Sequence, residues 1–320
     1  MENQHNAIKS LIKYSLKKQF GASLVELSVA AALSVFLLLI LVSVFINLKV
    51  GWKYNLSLLN IQKKAQISLQ LLKKNIQTAS YWGCINQIDK GNSLINNQFA
   101  FKGLTPNQAK RFLSAANLPL LSTDSFIVES ADVTYARLLQ PAGETDTLVV
   151  SKNLDLQPNQ WILISDCQQN EIARIESIQR YAASYTILLN HRLNATYPKL
   201  SEIHPVHAYL FYVGATQRKD SNGDYIKALY QKNLLKPNNP TELEQGIDTL
   251  NLSYGIKSNG GIEYKSVQQI HNWQKVVSVL IRITLTSDSS LSKAYPDKIK
   301  KPIKKEWDGY VVLQNRIQTT

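Results

Sequence analysis

The chain reads as an α+β protein, with one long amino-terminal helix followed by a head of antiparallel β-sheet, and three patterns predict this. The first is a run of 22 uncharged residues from Leu27 to Leu48, dominated by Leu, Val, Ala, Ile and Phe. The second is the recurrence of Leu58, Ile61, Ala65, Leu69, Leu72, Ile76 and Ala79 at spacings of three and four, which lays one apolar stripe along a helix. The third is a change after Tyr81 to short alternating or apolar segments separated by Asn, Gly, Pro and Asp clusters, the rhythm of strands and turns.

Taken in order, residues 1–21 form a leader carrying Lys9, Lys13, Lys17 and Lys18 against Glu2 alone. The uncharged run that follows is long enough to cross a bilayer, and the lysines ahead of it put the leader in the cytoplasm and the chain beyond Lys49 across the membrane. The helix is expected over residues 22–80, with 22–48 as its membrane part and 49–80 as its amphipathic part. A break near Gly51 into two helices would preserve the stripe. The head, 81–320, carries strand candidates at 147–151, 160–165, 171–179, 185–189, 206–213, 225–232, 248–255, 275–286 and 309–315, and a short helix at 107–116.

Immediately before the apolar run stands Phe20-Gly21-Ala22-Ser23-Leu24-Val25-Glu26. No small-residue cleavage site of the secretory kind follows the run. The segment resembles the type IV prepilin signal. That resemblance implies cleavage by a prepilin peptidase between Gly21 and Ala22, N-methylation of Ala22, and retention of the helix on the mature chain. It also implies that Glu26 pairs with the terminal amine of a neighbouring subunit during assembly, since a lone carboxylate in an apolar setting is costly. Ala22 stands where the family usually has Phe.

With the head outside the cytoplasm, Cys84 and Cys167, the two cysteines of the chain, are expected to form a disulfide. Their surroundings narrow the resemblance. Tyr81-Trp82-Gly83-Cys84, Ser165-Asp166-Cys167, Tyr209-Leu210-Phe211-Tyr212-Val213-Gly214, Ala228-Leu229-Tyr230, Leu243-Glu244-Gln245-Gly246-Ile247, Leu252-Ser253-Tyr254-Gly255 and Leu313-Gln314-Asn315-Arg316 resemble, in their order, the PilW-type minor pilins of type IV pili. The resemblance implies a pilin-like fold and a role in initiating pilus assembly from the tip complex, in support of twitching motility, adhesion or DNA uptake. The implied partners are other minor pilins, the major pilin, the prepilin peptidase and the inner-membrane assembly platform. Before assembly the chain would be a single-pass inner-membrane protein. A minor pseudopilin of a type II secretion system, or a pilus-tip adhesin or DNA receptor, are the competing readings.

Other signals carry less. Asp220-Ser221-Asn222-Gly223-Asp224 has the oxygens of half a calcium loop, but Gln231 occupies the twelfth position and Asn-Gly between strands is first a hairpin signal. His204 and His207 are three apart, which on a strand sends them to opposite faces. No Gly-x-Ser-x-Gly, phosphate-cradling loop or His-Glu-x-x-His occurs, so no enzyme, cofactor or metal is expected.

The net charge of +13 suggests a nucleic-acid partner until it is located. The leader holds four of the bases, the helical stem six, and residues 298–305 five, namely Lys298, Lys300, Lys301, Lys304 and Lys305. The rest of the head is close to neutral. Only the 298–305 cluster, read as a solvated loop between two strands, remains a candidate for DNA phosphates.

Overall fold

A computed structural model describes residues 23–84, 101–113, 123–236, 239–258, 260–299 and 301–314. Helix α1, Leu24–Thr78, runs without a break through Gly51. Ser23 starts it as a cap: its hydroxyl accepts the Val25 N–H at 3.3 Å while the Glu26 carboxylate accepts the Ser23 N–H at 3.0 Å, the reciprocal pattern of a capping box. Within the apolar run, Ser28 and Ser34 donate to the carbonyls of Val25 and Ala30. The chain divides into two units after Asn55, so residues 56–78 of the helix belong with the sheets.

In the second unit the amphipathic stripe is buried as its spacing predicts. Ile61, Ala65, Leu69, Leu72, Ile76 and Ala79 enter one core with Phe126, Val128, Phe211 and Val213 of a large sheet and Leu250, Leu252, Tyr254, Val279, Ile281, Ile283 and Val311 of a smaller one. The smaller sheet, entirely antiparallel, has the order β12 (Gly261–Lys265), β11 (Ile247–Ser258), β13 (Val276–Thr286), β14 (Lys304–Val312). The large sheet is also antiparallel, in the order β1 (Phe101–Leu104), β2 (Ser125–Ala131), β8 (Glu202–Lys219), β5 (Trp161–Ser165), β6 (Asn170–Arg180), β7 (Ser184–Leu189), β4 (Thr147–Ser151).

The 18-residue β8 is the spine of the large sheet. Its start pairs with β5 and with β3 (Ala136–Arg137), its middle with β2, and its far half with β9 (Tyr225–Asn233), which carries β10 (Thr241–Gln245). Residues 136–203 enclose a second core of their own, including Leu138, Val150, Ile164, Ile175, Ile187 and Tyr197. Helix α2, Pro106–Leu113, covers Ile127, Leu210 and Tyr212 on the outer side of β2 and β8. It opens with a second capping box: Thr105 Oγ1 accepts the Gln108 N–H, and Gln108 Oε1 accepts the Thr105 N–H, with Pro106 at the first helical position.

Every expected strand is present; 147–151 matches β4 at both ends, and each of the others has at least one end moved. Three differences have physical causes. Strand β2 was not expected, because Glu129 and Ser130 interrupt its apolar pattern, yet all seven of its residues are buried. Strands β10 and β12 are polar edges that bury little. The last strand, expected at 309–315, begins at Lys304 instead, with Lys304 and Lys305 opposite Thr286 and Leu285; lysines are well tolerated on an edge strand. Residues 114–116 of the expected short helix lie outside the described residues.

The helix and β14 come close together at Gly309. A β-carbon there would lie 2.8 Å from Leu69 Cδ2 and 2.9 Å from Lys73 Cε. Gly309→Val should therefore push helix and sheet apart and lower stability by roughly 1–3 kcal/mol. Gly260→Ala, at a site with nothing within 4 Å, should leave the urea midpoint unchanged. Equal midpoints for the two variants would refute the close approach.

Candidate functional site

The amino-terminal half of α1 is the first candidate. Every residue from Ser23 to Lys49 is exposed, and the helix is long and apolar enough there to cross a membrane. Glu26 is the one acidic residue in its first turn, and its carboxylate already serves the helix cap through the Ser23 N–H. The Ser-x-x-Glu spacing ahead of an apolar run is the sequence signal for this cap, which the reading of Glu26 as an assembly carboxylate alone overlooked. The two roles are compatible, because the cap uses one carboxylate oxygen. Gly21 and Ala22 lie outside the described residues.

Cys84 and Cys167 form a disulfide with Cα atoms 5.1 Å apart. It fastens the segment just beyond the helix to the turn between β5 and β6, where Cys167 adopts a positive φ of 69°. Trp82 lies beside it in a small core with Ala131, Leu163, Ile172 and Val206. The helix end is held further by Ser80 N–H, which donates to the Glu129 carbonyl at 3.1 Å, and by Ala131 N–H, which donates to the Tyr81 carbonyl at 2.8 Å.

The stem is less bare a cation than its sequence implies. Lys64 Nζ meets Glu244 at 3.1 Å and donates to the Gln245 carbonyl at 3.1 Å, which ties α1 to the end of β10. The 298–305 cluster is not one loop. Lys304 and Lys305 are successive residues of β14 and so point to opposite faces. Lys298 and Lys301 precede the strand and are exposed. Lys300 lies outside the described residues.

His204 and His207 do face opposite ways, and each meets a different carboxylate. His204, fully buried, places Nδ1 2.8 Å from the Asp132 carbonyl and Nε2 3.2 Å from Glu202 Oε2. His207 Nε2 lies 3.4 Å from Asp132 Oδ2, and its ring stacks on Tyr209. Burial pushes the Asp132 carboxyl up, but hydrogen bonds from Thr134 and His207 outweigh it and hold the group below its usual range. Among the described residues no group of three or more His, Cys, Asp or Glu could hold a metal ion. The 220–224 segment is a hairpin turn between β8 and β9: Asp220 Oδ1 accepts the Asn222 and Asp224 N–H groups, and Oδ2 accepts the Ser289 hydroxyl. Both Asp220 oxygens thus serve the turn and its neighbour Ser289. A cleft lined by Trp161, His207, Tyr209 and Asn233 has a volume of about 80 Å³, small beside the roughly 300–1,000 Å³ of ordinary ligand pockets.

Two buried glutamates contrast sharply. Glu171 accepts from the Asn194 N–H, from Asn194 Nδ2 and contacts His191 Nε2 at 3.1 Å. Glu129 on β2 is 1% exposed, and its Oε1 has no hydrogen-bond partner. Burial pushes the Glu129 carboxyl up to about 8, so this group is neutral over most of the physiological range. No signal short of locating β2 could have singled it out. No family model and no curated protein matches the chain, and the assignment of its role rests on the residues themselves.

Proposed function

We propose that the chain is a minor pilin of a type IV pilus, a non-enzymatic subunit that helps to start the fibre and sits in its tip complex. The observation that carries this reading is α1: exposed over its first half and uncharged and apolar from Leu27 to Leu48, striped and packed on antiparallel sheets over its second half, with Glu26 at its head. A helix of that kind suits storage in a membrane and later side-by-side packing with the helices of other subunits. Prepilin peptidase would cut after Gly21, the assembly platform would extract the helix, and Glu26 would meet the terminal amine of a neighbouring subunit. The opposed directions of Lys304 and Lys305 weigh against a concerted DNA-binding patch.

The mass and first residue of the mature protein test the proposal. A chain starting at N-methylated Ala22 is expected, and Gly21→Leu should leave the full-length precursor uncut, with surface piliation reduced as in a deletion strain. A mature protein that retains residues 1–21, with normal piliation, would overturn it.

A further inference from the structure

Beyond the uncharged run, Lys49, Trp52 and Lys53 follow one another at the spacings of a single helix face, with Tyr54 adjoining. Trp52 is 63% exposed and Tyr54 38%, although both carry large apolar surfaces. Amphipathic rings and long cationic side chains at the end of an apolar helix are suited to the boundary between hydrocarbon and water: the rings sit among the headgroups, and the amines reach lipid phosphates.

We infer that Lys49, Trp52, Lys53 and Tyr54 form a collar that binds phospholipid headgroups of the outer leaflet and fixes how deeply the helix sits before assembly. The inference rests on the membrane-anchored stage of the proposed function. It has a geometric consequence for Glu26. At 1.5 Å per residue, Glu26 lies about 34 Å along the helix from Lys49, whereas the hydrocarbon layer is about 30 Å thick. With the collar at the outer headgroups, the carboxylate reaches the inner headgroups. It stays hydrated in the membrane, supported by the Ser23 N–H, and need not be stored as a charge in lipid. Its desolvation is then a step of assembly rather than of insertion.

The test uses the full chain in vesicles of phosphatidylethanolamine and phosphatidylglycerol. The fluorescence component lost in Trp52→Phe should be quenched at least about twofold more strongly by lipids brominated near the headgroup than by lipids brominated near the chain ends. In the double variant Lys49→Leu, Lys53→Leu the order should reverse as the helix sinks. A Glu26→Cys variant, whose new thiol has only the disulfide-bonded Cys84 and Cys167 as companions, should react with a membrane-impermeant maleimide in inverted vesicles and not in right-side-out ones. A chain that does not float with the vesicles would overturn anchor and collar together. A floating chain whose Trp52 component is quenched equally or more by the deep bromines, or whose introduced thiol is silent in both orientations, would overturn the collar alone.

Discussion

Replacing Cys84 and Cys167 together by serine is expected to lower the stability of the oxidised protein by about 4 kcal/mol, the largest effect of any substitution considered. The bond joins residues 83 positions apart, and in the chain-entropy account closing a loop of that size removes about 4–5 kcal/mol of freedom from the unfolded chain. The fastened segment has its own reasons to stay: Trp82 is buried, and backbone bonds link Ser80 and Tyr81 to β2. The double variant should therefore fold, at a lower urea midpoint, and adding reductant to the native protein should reproduce that midpoint. Coincident midpoints for native, reduced and double-serine proteins would show that the bridge constrains nothing.

The second large effect belongs to Glu129 and depends on pH. Its carboxyl titrates near 8 in the folded protein and near the ordinary carboxylate value when unfolded. The folded state thus holds a proton that the unfolded state has released, and stability falls as pH rises between those two values. The slope is roughly 1.4 kcal/mol per pH unit at most, so a loss on the order of 3 kcal/mol is expected between about pH 5 and about pH 8. Glu129→Gln keeps the shape and removes the titration. Its urea midpoint should match the native protein near pH 5 and exceed it at pH 8, with a flatter profile. Parallel profiles across that range would mean that Glu129 finds a partner once ionised.

Much of this fold was legible because the chain obeys simple periods. The stripe from Ile61 to Ala79 was readable as a buried helix face, and 147–151 matched β4 at both ends. What escaped notice escaped for reasons of context. Strand β2 is buried on both faces and so never shows the alternation of a half-buried strand, and the glutamate that hides it is also its most unusual group. Strands β10 and β12 take their conformation from the neighbours they pair with, which polar composition cannot announce. Among candidate site residues, the disulfide pairing followed from compartment and count. The capping role of Glu26 was available in the spacing from Ser23 but was masked by the assembly reading. The Lys64–Glu244 contact and the tight approach at Gly309 join distant parts of the chain and have no local signature.

The approach of Leu69 and Lys73 to Gly309 bears on the order in which the protein matures. In the proposed function, the part of the helix that packs on the sheets would leave the membrane first and wait, its stripe uncovered, until β14, the last strand among the described residues, had followed, because β14 supplies part of its cover. Contacts between chain ends are slow to form and leave apolar surface open to misassociation in the meantime. A chain truncated before Lys304 would keep its apolar helix and its cysteines yet never close its core. For a subunit of the proposed kind, completing β14 would in that sense be the chain's own checkpoint, passed before another subunit could find a finished surface to join.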